Sequence, residues 1–389
     1  MRIFISAGEA SGEAYGAELM EALRDKAVQR GDMSSIEFFG VGGERMRSAG
    51  CELVINAHEL AVVGLAEVAE HLPGIYRRFR DVVREAERRR PAAAVLIDFP
   101  DFNFRLAKEL HRRAIPVIYY VSPQLWAWRP SRVELVRKYV RKMLVIFPFE
   151  EKFYRDQDID AEFVGHPLVD SPMPDTSRQQ FAAEHRLDPD RTWVALLPGS
   201  RRGEVSRIFP TLLGAAQLLG PDYVYIVPVA STLENNWIAS FSRGYSGMPI
   251  TFTRDSRTTL KHARVAAVAS GTSALEAALI GTPFAMVYRV AALTWTLGRR
   301  LLTVDRFAMV NLIAKRDVVA ELVQQECTPE RVSAELRRLL PEGAARDAML
   351  SGFGEVRRIL ESPKTRETPS QRAAQAILAV VDRRMENQA

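Results

Sequence analysis

The feature that most constrains this chain is a repeated alternation of short apolar runs with longer amphipathic segments, which starts almost at the first residue. The apolar runs are continuous, as is typical of parallel strands that are buried on both faces. In the first half we interpret as strands Arg2–Ser6, Ile36–Val41, Ala92–Ile97, Pro116–Val121 and Lys142–Ile146, and as helical Gly12–Arg30, Glu59–Arg90 and Phe104–Ala114. The pattern predicts an α/β fold with a doubly wound parallel sheet.

The same alternation restarts after a proline-rich stretch, Pro167 to Pro189, which we interpret as a linker. Beyond it we predict the strands Thr192–Leu197, Val224–Val229, Val265–Ala269 and Phe284–Tyr288 and the helices Phe209–Leu219 and Thr272–Ile280. We therefore predict two Rossmann-like domains, residues 1–168 and 169–365, with a C-terminal helix at about residues 366–389 that packs back on the first. Two such domains that face each other would form a cleft at the carboxyl ends of their strands, where ligands of α/β folds bind.

The composition of the 389 residues is that of a globular protein, with 47% hydrophobic and 26% charged residues, which argues against a disordered chain. Lys and Arg exceed Asp and Glu, 53 against 48, an excess that suits phosphate-bearing ligands, an anionic membrane surface or nucleic acid alike. Cys51 and Cys327 form no metal-binding or disulfide pattern, so a reducing compartment is expected. No segment has the pattern of a signal peptide or the ~18 apolar residues of a membrane-spanning helix, so we expect a cytoplasmic protein.

The glycine-rich turn after the first strand is the first candidate site. It places Gly8, Glu9, Ser11 and Gly12 at a strand-to-helix junction, where glycine lets a ligand approach the backbone and the helix offers unpaired N–H groups. Glu9 is suited to hold a sugar hydroxyl or to accept a proton. The alternative is a turn that only caps the helix.

Asp98, at the end of the predicted strand Ala92–Ile97, is a candidate general base, because apolar neighbours raise the pKa of a carboxyl group. The alternative is a structural aspartate, with Asp101 and Asn103 as caps of the following helix. Asp98 and Asp101 lack the further ligands of a metal site, and we predict none. His166 lies where the chain leaves the first domain and either reaches the cleft or is structural.

Two loops of the second half carry candidate donors for a nucleotide. After Thr192–Leu197, Gly199 and Ser200 expose backbone donors and Arg201 supplies a permanent charge, a combination that suits a diphosphate. The alternative is a capped helix with solvated arginines.

The second of these loops contains Ser270, Gly271, Thr272 and Ser273 at the start of a predicted helix, where hydroxyls and N–H groups can bind phosphate. Glu276, on the first helical turn, is placed to accept hydrogen bonds from both ribose hydroxyls. Because Ser273 and Glu276 also have the spacing of a capping box, a structural alternative stays open.

Two stretches, residues 60–90 and 293–302, combine apolar residues with arginine or tryptophan, as segments at a bilayer interface do. Core-facing helices give similar patterns. Nucleic-acid binding is not expected, because the basic residues are not gathered into a run.

Taken together, these segments resemble the bacterial lipid-A-disaccharide synthases, from about Ile3 to about Cys327. The segments that carry the resemblance are AGEASGE, VGGERMRSAGCE, ELAVVGLAEV, IDFPDFN, YVSPQLWAWR, FPFEEKFY, FVGHP, LLPGSRRGEV, ASGTSALEAALIGTP and VNLIA, in this order. In the first of them the family commonly has ASGD, where this chain has Glu13, which keeps an acidic group.

The resemblance implies a glycosyltransferase-B fold and an inverting transfer of 2,3-diacylglucosamine from UDP-2,3-diacylglucosamine to the 6-hydroxyl of 2,3-diacylglucosamine 1-phosphate. It implies Asp98 as the base, with Glu9 as the competing candidate, and Arg201 at the diphosphate. UDP would be held by Gly271, Thr272, Ser273, Glu276 and Asn311. Neither a metal nor a cofactor is implied.

Because both implied substrates carry acyl chains, the resemblance also implies a peripheral enzyme on the inner face of the cytoplasmic membrane. A homodimer is left open. Two alternatives remain on the residues alone: a UDP-N-acetylglucosamine 2-epimerase, which has a similar architecture, and a nucleotide- or nucleic-acid-binding protein without turnover.

Overall fold

The computed structural model describes residues 1–8, 10–31, 35–57, 68–127, 130–245, 247–291, 295–296, 305–361 and 367–386. The chain divides into two compact units, of which the first comprises Met1–Asp170 and Leu360–Ala389 and the second comprises Ser171–Ile359. Each unit is built around its own parallel sheet.

The sheet of the first unit has seven parallel strands in the order β3-β2-β1-β4-β5-β6-β7. The strands are β1 (Arg2–Ala7), β2 (Glu37–Gly42), β3 (Cys51–Asn56), β4 (Ala93–Ile97), β5 (Val117–Tyr120), β6 (Lys142–Val145) and β7 (Ala161–Phe163). Helices between them are α1 (Ala10–Gln29), α2 (Glu44–Ser48), α3 (Val68–Arg89), α4 (Pro100–Arg112), α5 (Val133–Tyr139) and α6 (Pro148–Arg155), and α7 (Pro167–Asp170) follows β7.

The carboxyl ends of the central strands of this sheet are aligned. Ala7 of β1 pairs with Ile97 of β4, and Ile97 pairs with Tyr120 of β5. These residues are fully buried, because helices cover both faces of the sheet and the continuous apolar runs fill the core. The loops that follow β1, β4 and β5 therefore emerge side by side.

The sheet of the second unit has six parallel strands in the order β10-β9-β8-β11-β12-β13. The strands are β8 (Trp193–Leu197), β9 (Val224–Pro228), β10 (Ile250–Thr253), β11 (Val265–Ala269), β12 (Phe284–Tyr288) and β13 (Glu321–Val323). The helices are α8 (Arg178–His185), α9 (Arg202–Leu219), α10 (Asn235–Ala239), α11 (Ser256–His262), α12 (Thr272–Ile280), α13 (Met309–Ala314), α14 (Pro329–Leu339) and α15 (Ala344–Leu360).

The last described helix, α16 (Pro369–Glu386), belongs to the first unit and packs against α1. Charged contacts fix it there: Arg30 pairs with Asp382 at 2.9 Å, and Lys26 pairs with Glu367. Arg384 donates a hydrogen bond of 2.9 Å to the carbonyl of Ala92, at the start of β4. The chain thus returns to the first unit after completing the second.

The proline-rich stretch that we interpreted as a linker is partly helical. It contains α8, which begins with a capping box in which Ser177 accepts from the amide of Gln180 and Gln180 accepts from the amide of Ser177. The interpretation of the whole stretch as a linker was therefore wrong, because a capped and half-buried helix follows the prolines.

None of the helices in the described part of the chain is long and apolar enough to span a membrane.

Candidate functional site

Asp98 lies directly after β4 in a strained backbone conformation. Its φ angle is 44° and that of Phe99 is 51°, so two consecutive non-glycine residues adopt the left-handed region, at a cost of about 1–3 kcal/mol each. The carbonyl of Asp98 accepts hydrogen bonds from Nδ2 of Asn103 at 2.8 Å and from Oη of Tyr119 at 2.6 Å. These bonds hold the half-buried Asp98 at the edge of the sheet.

Asn103 is fully buried and joins two strand ends. Its Oδ1 accepts a hydrogen bond of 2.7 Å from Oγ of Ser6 in β1, while its Nδ2 donates to the carbonyls of Ile97 and Asp98. The alternative in which Asn103 caps a helix is wrong, because α4 has Phe99 at its N-cap and no side-chain cap.

Asp101 does not cap α4 either. It is exposed and pairs with Arg132 at 2.8 Å. Of the two aspartates, only Asp98 is held at the carboxyl edge by buried partners, which makes Asp98 the better candidate for chemistry there.

The glycine-rich turn lies against the Asp98 turn. A Cβ atom at Gly8 would collide with the ring of Phe99, and one at Gly12 would lie 3.6 Å from Cγ2 of Ile97. Ser11 and Gly12 are in the first turn of α1, which begins at Ala10. The structure therefore brings Gly8, Ser11 and Gly12 to the same sheet edge as Asp98; Glu9 lies outside the described residues.

The carboxylate of Glu13 has a structural role within the first unit. Its Oε1 accepts a hydrogen bond of 2.5 Å from the amide of Arg45, and its carboxylate lies against Gly43, where a Cβ atom would be 2.5 Å away. Glu13 thus fixes the loop between β2 and α2.

His166 is buried and apart from this group. It follows β7, three strands from β4, which is about 14 Å across the sheet. Its Nδ1 accepts a hydrogen bond of 3.2 Å from the amide of Leu168, and its ring packs on Phe147. Burial lowers the pKa of His166 to about 3, so the ring is neutral at physiological pH. These contacts favour the structural alternative for His166.

A buried carboxylate that we did not predict lies under the loop after β5. Both oxygens of Glu150 are used: Oε1 accepts from Nε1 of Trp126 at 3.0 Å, and Oε2 accepts from the amide of Phe147 at 3.2 Å. Burial raises the pKa of Glu150 to about 8. Beside it, the hydroxyls of Ser122 and Tyr154 are 2.6 Å apart. Glu150 therefore anchors the aromatic loop that neighbours the Asp98 turn.

In the second unit, the loop after β8 encloses its own carboxylate, which we also did not predict. The amide of Ser200 donates a hydrogen bond of 3.1 Å to Oε2 of Glu204, and a Cβ atom at Gly199, whose φ is 111°, would collide with that carboxylate. Burial raises the pKa of Glu204. The expectation that the Ser200 amide is free for a ligand is therefore wrong.

Arg201 stands at the N-cap position of α9, and its side chain is exposed. It lies close enough to Glu204 and Tyr288 for its charge to lower the pKa of each, although burial raises both pKa values overall. The predicted cation, Arg201, is thus present at this loop, but the amide of Ser200 is already bonded to Glu204.

The loop after β11 keeps the amino end of α12 open. Gly271, with a φ of 144°, is the N-cap, and no side chain caps the helix. The capping box of Ser273 and Glu276 does not form, because the helix already begins at Thr272. Glu276 therefore lies beyond the first four helical residues, and the structural alternative for this pair is wrong.

The carboxylate of Glu276 is largely buried and is paired with Arg257, with Oε1 and Nη1 3.0 Å apart. Burial raises the pKa of Glu276, and the charge of Arg257 opposes that shift. Because Arg257 binds Oε1, the orientation of the whole Glu276 carboxylate, including Oε2, is fixed.

Asn311 is fully buried, and its amide makes four hydrogen bonds. Nδ2 donates to the carbonyl of Val319 and to Glu321, and Oδ1 accepts from the amides of Val318 and Val319, all between 2.8 and 2.9 Å. Because an asparagine amide has no further donor or acceptor to offer, the expected direct contact of Asn311 with UDP is not available.

Asn311 instead acts through Glu321 on the loop before α13. Glu321 accepts hydrogen bonds from the amides of Phe307 and Ala308 at 2.9 and 3.0 Å, and the carbonyl of Phe307 accepts one of 3.3 Å from Oγ of Ser270. A chain of contacts therefore runs from Asn311 to Ser270 at the open end of α12.

The two loops of the second unit follow neighbouring strands. Val265 of β11 pairs with Val194 of β8, and Val268 pairs with Leu197, so the loops that carry Arg201 and Gly271 emerge at the same edge. This edge is where ligands of doubly wound sheets bind. The structure thus groups Gly199, Ser200, Arg201, Ser270, Gly271, Thr272, Ser273 and Glu276 by sheet edge.

Comparison with known proteins identifies the fold and the family. Over residues 3–375 the chain matches the family described as lipid-A-disaccharide synthetase. It is 53% identical to the lipid-A-disaccharide synthase of Koribacter versatilis, with 99% of this chain and 100% of that protein covered.

Two solved structures share the fold at low identity. The glycotransferase of kitacinnamycin has a TM-score of 0.63 at 14% identity and covers 98% of this chain and 99% of its own. The UDP-GlcNAc 2-epimerase of Neisseria meningitidis, bound to UDP-GlcNAc, has a TM-score of 0.62 at 10% identity and covers 98% of this chain and 100% of its own. The glycosyltransferase-B fold is therefore common to both classes of enzyme and does not separate them, whereas the family match does. The chain belongs to the lipid-A-disaccharide synthase family of glycosyltransferases.

Proposed function

We propose that this chain transfers 2,3-diacylglucosamine from UDP-2,3-diacylglucosamine to the 6-hydroxyl of 2,3-diacylglucosamine 1-phosphate, with inversion at the anomeric carbon. The membership of the family supports this reaction. The assignment of roles rests on one observation above all: the open amino end of α12 and the exposed Arg201 lie at the same edge of the second unit's sheet.

In this proposal the second unit holds the donor. The first N–H groups of α12 and the hydroxyls of Thr272 and Ser273 bind the diphosphate, because a helix amino end without a cap offers unpaired donors and a favourable dipole. Glu276, fixed by Arg257, accepts hydrogen bonds from the ribose hydroxyls.

The first unit supplies the base in the same proposal. Asp98 accepts the proton of the acceptor 6-hydroxyl as that oxygen forms its bond to the anomeric carbon. The bond from the anomeric carbon to the diphosphate oxygen breaks on the opposite face, and UDP leaves with the bonding electron pair. Buried partners hold the backbone of Asp98 in place, which supports it as the base; Glu9, the competing candidate, lies outside the described residues.

Arg201 and the amino end of α12 stabilise the negative charge that builds up on UDP as it leaves, a role that fixed cations and oriented N–H groups can fill. Glu204 contributes indirectly: by binding the amide of Ser200 it fixes the turn from which Arg201 projects.

We propose further that the protein attaches peripherally to the inner face of the cytoplasmic membrane, where acylated substrates reside. Helix α3 supports this, because Tyr76 is 64% exposed and Arg77 and Arg80 beside it are exposed as well. Of the stretches predicted to lie at the interface, residues 60–67 and most of 293–302 lie outside the described residues.

The proposed reaction is tested by incubating the protein with the UDP-linked donor with and without the monosaccharide 1-phosphate and measuring UDP and disaccharide. UDP should appear only when the acceptor is present, in equal amount to the disaccharide. Asp98→Asn should abolish turnover and leave UDP binding unchanged, while Asp101→Asn serves as the matched control. UDP release without the acceptor, or an active Asp98→Asn variant, would contradict the proposal.

A further inference from the structure

A cavity of about 470 Å³ lies at the amino edge of the second unit's sheet, where β8 and β11 begin. Four arginines contribute to its wall, together with His262 and a single carboxylate, Asp190. The arginines are Arg178, Arg191, Arg264 and Arg346. Strands of five residues separate this edge from the donor loops by about 16 Å, so the cavity is distinct from the proposed donor site.

The arginines are held in place mainly by backbone carbonyl groups. Arg178 lies over the ring of Trp193, 3.7 Å from its centre, and donates to the carbonyls of Pro189, Arg191 and His262. Arg191 donates to the carbonyl of Asp222 at 3.3 Å. Carbonyl groups orient a guanidinium but carry no charge that neutralises it.

Arg264 and Arg346 lie together on the same wall. Arg346 donates a hydrogen bond of 2.8 Å to the carbonyl of Arg264, and Arg264 donates one of 2.7 Å to the carbonyl of Leu340. Their shared carboxylate partner, Glu342, lies 2.6 Å from Arg264 and 3.8 Å from Arg346, and its side chain is 76% exposed. The side chain of Arg346 is only 12% exposed.

The charges around the cavity are therefore unbalanced among the described residues. Four guanidinium groups face three carboxylates: Asp190 acts on Arg178, and Glu342 and Asp347, both exposed, act on Arg346. Burial lowers the pKa of Arg346, and the like charge of Arg264 lowers it further; burial also lowers the pKa of Arg178. Each guanidinium has five N–H donors, and the carbonyl contacts named above use three of those of Arg178 and one each of those of Arg191, Arg264 and Arg346.

We propose that this cavity is a second anion site, which binds solutes that carry phosphate groups. A phosphate supplies negative charge that the carboxylates around the cavity do not fully provide, and its oxygens accept the paired N–H groups of a guanidinium in bidentate geometry. The preorganised arginines give up little conformational freedom when the anion binds, because carbonyl groups already fix them.

The proposal is tested by calorimetric titration with inorganic phosphate, pyrophosphate and glucose 1-phosphate, against chloride at the same ionic strength. Saturating UDP is present so that the donor site is filled. The same titrations are repeated without UDP on the Arg201→Gln variant, in which the proposed donor site lacks its arginine. They report on the cavity even if UDP does not bind as proposed. We expect saturable binding of one phosphate compound per chain, and the ranking of the three compounds tells free phosphate from a sugar phosphate.

The variants Arg191→Gln and Arg346→Gln should each weaken this binding at least fivefold. Arg254→Gln is the matched control, because Arg254 is also held by carbonyl groups, those of Ala230 and Leu233, but lies outside the cavity. Circular dichroism checks that each variant is folded. If Arg346→Gln does not fold, the Arg191→Gln variant alone carries the test, because Arg191 is partly exposed. Heats no different from those of chloride, or equal binding by Arg191→Gln and Arg254→Gln, would overturn the proposal.

Discussion

Asn103 donates a hydrogen bond of 2.8 Å to the main-chain carbonyl of Asp98, and the same side chain accepts one of 2.7 Å from Ser6. One buried amide thus ties the end of β1 to the strained turn that carries the proposed base. Without the Asn103 side chain, the carbonyl of Asp98 would lose this hydrogen bond and keep the one from Tyr119, and the left-handed conformation of Asp98 and Phe99 would be held less firmly.

Replacing Asn103 by alanine should therefore lower kcat at least tenfold while the affinity for UDP stays within twofold of the parent. The turn can then relax toward ordinary backbone angles, and Ser6 loses a buried partner, which costs about 1–3 kcal/mol of stability. Steady-state kinetics and UDP calorimetry measure the two effects. A variant with unchanged kcat would mean that the left-handed turn has no part in catalysis.

Glu204 offers a test of the turn that carries Arg201. Glu204→Gln keeps an oxygen that accepts from the amide of Ser200, so kcat/KM should stay within about threefold of the parent, whereas Glu204→Ala should lose tenfold or more. Arg202→Gln is a control on the same helix, since Arg202 pairs with Glu234 on the surface. Equal losses in Glu204→Gln and Glu204→Ala would show that the negative charge, and not the hydrogen bond, is required.

Glu276 should discriminate between ribose and dideoxyribose. If its carboxylate binds the ribose hydroxyls, Glu276→Ala weakens UDP binding about tenfold or more but barely changes the binding of 2′,3′-dideoxy-UDP, because hydrogen bonds to a charged group contribute about 1.5–3 kcal/mol. Binding of both nucleotides is measured by calorimetry. An equal loss of affinity for both nucleotides would mean that Glu276 only holds Arg257 in place and does not bind the ribose.

The stability of the first unit should depend on the ionisation of Glu150. Its pKa is about 8 in the folded protein and near 4.5 when unfolded, so between these values the folded state binds more protons and its stability falls as the pH rises. Glu150→Gln lacks this dependence. The free energy of unfolding of the variant, relative to the parent, should therefore rise from pH 5 to pH 8 in urea titrations. If the difference in unfolding free energy between Glu150→Gln and the parent does not change with pH, the pKa of Glu150 is not raised in the folded protein.

Much of the fold could be predicted because its strands are buried on both faces. β1, β4, β8 and β11 lie in the middle of their sheets and are continuous apolar runs, and each was predicted to within two residues. The strands that were not predicted are the four edge strands, β3, β7, β10 and β13: Cys51–Asn56 is buried only at Cys51 and Ile55, and Glu321–Val323 has only three residues. An edge strand needs no continuous apolar run.

The site was predictable where it depends on position along a strand and not where it depends on distant contacts. The places of Asp98 and Gly271 at the carboxyl edges of their sheets could be predicted because each closely follows a buried strand, while their chemical roles stay predictions. The bracing of Asp98 could not be found, since Ser6 and Asn103 are 97 residues apart in the sequence. Glu204 had a local signal that we did not use, as it lies four residues after Ser200 at the start of a helix. Asn311 was assigned to UDP from the family resemblance, and the sequence alone does not reveal that all four hydrogen-bonding positions of its side-chain amide are used within the second unit.

Membrane attachment through α3 gives the last prediction. Tyr76 and its basic neighbours Arg77 and Arg80 are exposed, and each cation near an anionic bilayer contributes about 1 kcal/mol. The triple variant Tyr76→Ser, Arg77→Ser, Arg80→Ser should therefore float with phosphatidylglycerol vesicles at least tenfold less than the parent. Val28→Ser is the matched control, because Val28 lies on α1 of the same unit and is 64% exposed, like Tyr76. Higher salt should weaken flotation of the parent, since the Debye length shortens as ionic strength rises. If the triple variant and Val28→Ser float equally well, α3 does not contact the membrane and the proposed attachment through α3 is wrong.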